Sequence, residues 1–380
     1  MINIALLGST GSIGRQVVNT ALRHKDKFRI VSLAANSSAD ILKEQISLIR
    51  PEVVALTDSS KAGMITELPK NTLMYTGENA VSHAITENAD VVFVAISGFA
   101  GLRPTLESIE CGKTVALANK ESLVAGGELV MNEAKRKGVK IIPVDSEHSA
   151  VFQCLGFETD RKFRKIILTA SGGAFRDLDK QTIAGLKAEA ALKHPNWLMG
   201  KKITIDCATM LNKGLEVIEA CRLYNAPLDK VEAIIHPESI IHSMVEFDDG
   251  AIMAQLGFPS MEIPIQLALT YPERLNTDVP FLSLAGKTLS FREIDNDRFP
   301  CFGLALESFV QGDNYPCAMN AANEIAVKAY LDDRIKFYDI PKVIGRATEK
   351  CRRAAPTFEA LIETDREARA VAAEIIGGGI

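Results

Sequence analysis

The chain opens on an unbroken apolar run, INIALL at 2–7, which stops at GSTGSIG at 8–14 and resumes as VVNTAL at 17–22 with apolar positions at helical spacing. That pattern predicts a strand, a glycine turn and a helix. The rhythm then repeats, with strand-like runs at 28–34, 53–56, 89–97, 113–118 and 139–144 and helical stretches from Leu102 and around 128–137. Short apolar runs alternating with helices predict a doubly wound parallel sheet. Beyond it the pattern changes. KIILTA at 165–170, ITIDCA at 203–208, VEAIIHP at 231–237 and AIMAQLG at 251–257 predict a second sheet, antiparallel in part, while 171–200 lacks strand character. A glycine pair in a loop of that length predicts a mobile lid or binding loop. From about residue 301 the chain reads as helical: CFGLALESFV, CAMNAANEIAVKAYL, IPKVIGRATEKC and FEALIETDREARAVAAEII.

Composition narrows the picture by exclusion. A net charge of −5 without any Lys/Arg cluster argues against a nucleic-acid partner. No apolar run approaches the roughly 20 residues that span a bilayer, so no membrane segment is expected. The first residues enter a strand at once, which leaves no room for a leader and predicts a cytoplasmic protein. Seven cysteines are scattered without a C-x-x-C pair, which speaks against a zinc ribbon or a disulfide framework and for buried thiols.

Three stretches carry candidate chemistry. In the glycine turn, Gly8 permits the tight bend, Gly11 lets backbone approach a pyrophosphate and Gly14 lets the helix pack on the strand, so dinucleotide binding is weighed against a plain βα turn. The second strand ends in Ala35-Asn36-Ser37-Ser38 with no carboxylate before Asp40, which favours NADP over NAD. Two later strand ends are polar, Asn119-Lys120-Glu121-Ser122 and Asp145-Ser146-Glu147-His148. If the extended conformation persists, Asp145 and Glu147 project to one side and can bind a hard divalent cation; the alternative is a helix cap. Finally 194–216, HPNWLMGKKITIDCATMLNKGLE, reads as a strand at 203–206 followed by a helix on which Asn212, Lys213 and Glu216 share one face. A helix N-terminus there suits a phosphate, and Glu216 would be a third carboxylate for Mg²⁺ or Mn²⁺. An exposed, capped helix with an ion pair is the plainer alternative.

Together these pieces resemble the 1-deoxy-D-xylulose 5-phosphate reductoisomerase family over nearly the whole chain. The resemblance is carried by GSTGSIG at 8–14, LANKESLV at 117–124, PVDSEHSA at 143–150, SGGAFR at 171–176, HPNWLMGKKITID at 194–206, ATMLNKGLE at 208–216, HPESIIHSMV at 236–245 and NAANEIAV at 320–327. It implies an α/β chain: an NADPH-binding Rossmann-like sheet at 1–147, a central α+β catalytic domain at 148–271 with a lid at 171–201, a linker at 272–298 and a C-terminal helical bundle at 299–380. It also implies a phosphosugar substrate, NADPH with Mn²⁺ or Mg²⁺, a retro-aldol and aldol rearrangement followed by hydride reduction, and a homodimer.

Residue by residue, the resemblance makes Asp145, Glu147 and Glu216 metal ligands. Lys120 and Ser146 would hold substrate hydroxyls; Ser171, Asn212 and Lys213 the phosphate, with Cys207 beside them; and His194 would line the pocket. Lys120 and Glu147 are the candidates for proton handling. Thr10, Gly11, Ser12, Ile13, Asn119, Glu121 and Gly200 would contact the cofactor, with Ala35, Asn36 and Ser37 near its ribose phosphate. Three departures stand out: the Ala34–Ser37 stretch where the family usually has Ala-Gly-x-Asn, Ala174 in place of a common proline, and Cys207 in place of the serine before Ala-Thr-Met. The rivals are a semialdehyde or homoserine dehydrogenase and a catalytically dead NADP-binding regulator. No cysteine sits in a recognisable nucleophile context for the semialdehyde enzyme, and a regulator would not need the carboxylates.

Overall fold

The computed structural model describes residues 1–193, 197 and 199–380. Its contacts divide the chain into two compact units, Met1–Asn119 with Val130–Ser149 and Met261–Val279, and Lys120–Leu129 with Ala150–Ser260 and Pro280–Ile380. The first holds seven strands: β1 (Ile2–Leu7), β2 (Phe28–Ala35), β3 (Val53–Leu56), β4 (Leu73–Thr76), β5 (Val91–Val94), β6 (Thr114–Leu117) and β7 (Ile141–Pro143). They form one parallel sheet in the order β4-β3-β2-β1-β5-β6-β7. Central strands are buried along most of their length, which is why β1, β3 and β5 read as unbroken Val/Ile/Leu/Ala runs rather than alternating ones. Strand order reverses between β1 and β5. That switch point is where a doubly wound sheet opens a crevice for ligands.

Met261–Val279 packs with this first unit, whereas the sequence grouped it with the central domain and the linker. Arg23 on the helix Ser12–Arg23 pairs with Glu262 and Asp278, and Lys27 with Glu273 at 3.0 Å. These charge pairs, spread through an otherwise unremarkable stretch, are invisible to hydrophobic periodicity.

The second unit carries β8 (Lys165–Ala170), β9 (Val231–Ile235), β10 (Ile241–Glu246) and β11 (Ile252–Leu256) in the order β11-β10-β8-β9. β8 and β9 run parallel and the other pairs antiparallel, so the second sheet is mixed as expected. The helices Pro300–Gln311, Tyr315–Leu331, Asp339–Glu349 and Phe358–Gly377 follow. They pack with this sheet's unit and do not form a separate body. A Cβ on Gly214, in the helix Leu211–Leu223, would lie 2.5 Å from the Cβ of Ala305, so glycine there allows the two helices to touch along their backbones.

Three local expectations change, that of the helix at 128–137 only in its extent. The run at 203–206 is not a strand but part of the helix Lys201–Ala208. Its Ile-Thr-Ile pattern favours strand by propensity, yet Lys202 and Asp206 form an i,i+4 ion pair at 2.9 Å and Thr204, Ile205 and Asp206 are buried, so tertiary packing overrides a weak preference. The helix placed around 128–137 begins at Lys120, with Gly126 breaking its regularity. Third, the chain does not stay extended after β7. A helix begins at Ser146, so Asp145 and Glu147 are not on one side of a strand.

Candidate active site

At the carboxyl edge of the first sheet the backbone is shaped for close approach. Gly8 sits at φ 88°, and a Cβ there would lie 2.5 Å from the carbonyl oxygen of Ala95, beside β5. A Cβ on Gly14 would overlap the Gly8 carbonyl and the Ser9 backbone, so any side chain would push the helix off the turn. Gly11 caps that helix without a side-chain hydrogen bond, and Gly11 and Ser12 are exposed with Thr10 and Ile13 half-buried beside them. The helix N-terminus is therefore open to an anionic group at the switch point. On β2, Ala35 is buried while Asn36 and Ser37 are exposed. Asn119, past β6, is buried and donates Nδ2 to the Gly98 carbonyl at 2.9 Å, which fixes the neighbouring loop. After β7 the Asp145 carboxylate accepts the Glu147 N–H at 3.2 Å, and Ser146 Oγ donates to the Glu147 carboxylate. All three side chains are half-buried. Asp145 thus does the capping that the plainer reading allowed.

In the second unit four predicted residues meet. Glu216 is 1% exposed, yet its carboxylate accepts from Lys120 Nζ at 3.0 Å, from Asn212 Nδ2 and from Lys213 Nζ. Lys213 also donates to the Thr169 carbonyl at 2.5 Å, tying the cluster to β8. The expected i,i+4 and i,i+3 face is present but buried, which excludes the solvated-helix alternative: two ammonium groups and an amide enclose one carboxylate away from water. Met210, at φ 60°, makes the turn that aims the Leu211–Leu223 helix at this cluster from the end of the Lys201–Ala208 helix.

The loop after β8 comes to the same place. Gly172 and Gly173 have φ of 81° and 69°, and a Cβ on Gly173 would lie 2.5 Å from the Cys207 carbonyl. Only glycine lets Ser171 approach the end of that helix so closely. Ser171 Oγ accepts the Gly173 N–H at 3.3 Å, which sets the turn. Burial, and after it the Glu216 carboxylate, push the Cys207 thiol well above its ordinary range, so it remains a protonated, weak donor. Gly200 caps the Lys201–Ala208 helix and is exposed. His194 lies outside the described residues. Trp197 meets His242 edge-on at 6.1 Å.

Sequence reasoning missed a second charged group. Lys202 Nζ lies 2.9 Å from both Glu121 and Asp206, and Asn323 donates to the other Asp206 oxygen at 2.9 Å. Burial opposes charge on each member. The Lys202 ammonium nonetheless rises above its usual range because Asp206 and Glu121 outweigh desolvation, and Glu121 is lowered because Lys202 does the same for it. Asp206 stays raised, by burial. The i,i+4 spacing of Lys202 and Asp206 was the available signal, hidden by the strand reading. His242 was missed as well; burial lowers it to about 4, so the imidazole is neutral.

Three family models match the chain: 1-deoxy-D-xylulose 5-phosphate reductoisomerase over residues 4–127, its C-terminal domain over 141–224, and the DXP reductoisomerase C-terminal domain over 256–371. The reductoisomerase of Crocosphaera subtropica is 46% identical across 99% of this chain and 98% of its own length, and that of Pelotomaculum thermopropionicum 47% identical across 99% of both. The chain belongs to the 1-deoxy-D-xylulose 5-phosphate reductoisomerase family. Among solved reductoisomerases, the Zymomonas mobilis enzyme in complex with NADPH superposes with a TM-score of 0.92 at 40% identity, covering 99% of each chain. A second reductoisomerase, in complex with NADPH, fosmidomycin and magnesium, also gives 0.92 at 36% identity over 99% of this chain and 98% of its own. The reductoisomerase fold thus extends over both units, each of which keeps the architecture described above.

Proposed function

We propose that this chain converts 1-deoxy-D-xylulose 5-phosphate to 2-C-methyl-D-erythritol 4-phosphate with NADPH and Mg²⁺ or Mn²⁺, a step of the non-mevalonate route to isoprenoid precursors. Identity of 46–47% along the full length of named reductoisomerases is the observation that carries this reading. The residues present suit both groups. The glycine turn and uncapped helix N-terminus offer the pyrophosphate N–H donors without a blocking side chain, and no carboxylate lies between the end of β2 and Asp40 to repel a 2′-phosphate. Asp145, Glu147 and Glu216 supply oxygen donors only, the set a hard divalent ion prefers, and are assigned as its ligands.

A bound divalent ion would polarise the substrate ketone and the adjacent hydroxyl as a Lewis acid. NADPH would supply the hydride that reduces the branched aldehyde left after the C3–C4 bond breaks and a new C–C bond forms. Lys213 and Asn212 take the substrate phosphate with Ser171 and Cys207, the ammonium providing a charge-assisted bond. Lys120 and Ser146 hold the hydroxyls, and Lys120, already within 3.0 Å of Glu216, is placed to pass a proton to or from a substrate oxygen. Glu147 is the second group assigned to proton handling. Asn119, Glu121 and Gly200 are assigned to the cofactor, together with Thr10, Gly11, Ser12, Ile13 and the backbone of Ala35, Asn36 and Ser37. His194, outside the described residues, is assigned to lining the substrate pocket.

We further assign a homodimer and a cytoplasmic location. For the dimer, β11 is an edge strand on which Ile252 and Met253 are more than half exposed, with Phe258 exposed just beyond, an apolar edge suited to a second copy. For the location, all seven cysteines are free thiols, as in a reducing compartment. Among the described residues no helix is long and apolar enough to cross a membrane. The test of function is turnover of 1-deoxy-D-xylulose 5-phosphate with NADPH and Mn²⁺, the product identified by mass and NMR. The expected result is stoichiometric product, loss of activity with a chelator, recovery on adding Mn²⁺, and a higher kcat/KM with NADPH than with NADH. Turnover unaffected by thorough metal removal would overturn the metal's role, and no product would overturn the reading.

A further inference from the structure

Lys202 carries no assigned role, yet it stands behind two of the residues that do. Its ammonium bridges Glu121, on the first turn of the Lys120–Lys137 helix, and Asp206, on its own helix Lys201–Ala208, at 2.9 Å each. The carboxylate side chains are 11% and 2% exposed, so neither charge can be offset by water. Asn323, fully buried on the helix Tyr315–Leu331, holds the far oxygen of Asp206 at 2.9 Å. The group therefore has a fixed geometry on three helices.

Each of two helices sends neighbouring side chains in two directions. On one, Glu121 points to Lys202 while the preceding residue, Lys120, reaches Glu216 at 3.0 Å. On the other, Asp206 points to Lys202 while the following residue, Cys207, sets its carbonyl against Gly173 in the loop that carries Ser171. Successive residues of a helix are turned by about 100°, so anchoring one fixes the direction of the next. We propose that Lys202 is a positioning residue: by clamping Glu121 to Asp206 it sets Lys120 against Glu216 and holds Cys207 at the phosphate side of the same cluster. It touches neither substrate nor metal and acts through its neighbours. This rests on the roles given to Lys120 and Glu216 above.

The physical expectation follows from which contacts survive without the clamp. Removing the cation takes the main compensating charge from two buried carboxylates, and the helix ends bearing them separate or take up a proton. Lys213, Asn212 and Ser171 keep their own anchors on β8 and the Leu211–Leu223 helix, so phosphate recognition persists while Lys120 is displaced. A shift of about 1 Å in a reacting group costs on the order of 100-fold in rate.

The test uses full-length enzyme with Lys202→Met and Lys202→Arg, rates being normalised to sites that bind NADPH. Lys202→Met is expected to lower kcat about 30- to 100-fold with KM for the substrate changed less than about threefold. Lys202→Arg, whose guanidinium can span both carboxylates, should recover most of that loss. Unchanged kcat per site in Lys202→Met, or an arginine variant that restores thermal stability without restoring kcat, overturns the proposal. If Lys202→Met does not fold, Asp206→Asn severs one arm alone and should cost kcat about five- to tenfold at constant KM; no loss there overturns it equally. A readout independent of turnover separates this claim from the functional reading: trace acetylation of Lys120, which is 7% exposed in the wild type, should speed up about tenfold in Lys202→Met or, failing that, Asp206→Asn. Labelling at the wild-type rate contradicts the clamp even if the enzyme proves to act on another substrate, whereas a wild type without turnover but with faster labelling in the variant removes only the functional reading.

Discussion

The glycine turn of the first unit and the Glu216 cluster of the second are each assigned a charged ligand, but they are built in opposite ways. The turn is backbone. Its specificity lies in side chains that are missing, at Gly8 and Gly14, where any Cβ would strike a carbonyl or a neighbouring main chain. The cluster is side chain. Lys120, Asn212 and Lys213 converge on Glu216 from two separate helices, and the geometry exists only once both are packed. A backbone device is written locally in the sequence and fails all at once, whereas a side-chain device is distributed and fails by degrees.

The largest effect should come from breaking the backbone device. Gly14→Val would force the Ser12–Arg23 helix away from the turn, and NADPH affinity, read by fluorescence titration, should drop about 100-fold, a loss of about 2.7 kcal/mol. Mn²⁺ binding in the same variant should change less than about threefold, since none of Asp145, Glu147 and Glu216 belongs to the glycine turn. Comparable losses of both would show that the two devices are not independent.

Next in size is a stability effect confined to the second unit. Burial lowers His242 to about 4 from an ordinary 6.5, so between those values the unfolded chain binds a proton that the folded one refuses. Stability should therefore be little affected by this residue above pH 6.5 and fall as pH drops from 6.5 towards 4, by about 2.5 kcal/mol over the window. Denaturant unfolding of His242→Gln should show a shallower decline over that range than the wild type; parallel curves would remove His242 as the cause.

The smallest effect refines the cluster. Cys207 presents a protonated thiol where the family has a serine hydroxyl, and a thiol is the weaker donor. Cys207→Ser should lower KM for the substrate about three- to tenfold and leave kcat nearly unchanged, because the phosphate is held alike in ground and transition states. A higher KM would mean that the pocket has repacked around sulfur.

The same contrast explains what could be read without coordinates. The parallel sheet, the glycine turn and the C-terminal helices were legible because buried strands and amphipathic helices impose periods on the sequence, and turns impose glycines. Asn212, Lys213 and Glu216 were legible as one face because their spacing lies within one helix. Their burial was not legible, since their partners outside the helix, Lys120 and the Thr169 carbonyl, are distant in sequence. The helix at Lys201–Ala208 was misread as a strand from its β-branched residues, and Lys202, Asp206 and Asn323 were lost with it. Asp145 and Glu147 were identified by residue type, although the extended backbone expected to align them is a helix start.

The central proposal is that Asp145, Glu147 and Glu216 hold one divalent metal ion. Mn²⁺ titration followed by electron paramagnetic resonance, on wild type, Asp145→Asn and Glu216→Gln with NADPH affinity measured in parallel, tests it most directly. The account predicts that each substitution weakens Mn²⁺ binding about tenfold or more while NADPH affinity stays within about threefold. Glu216→Gln binding Mn²⁺ as tightly as the wild type would contradict it.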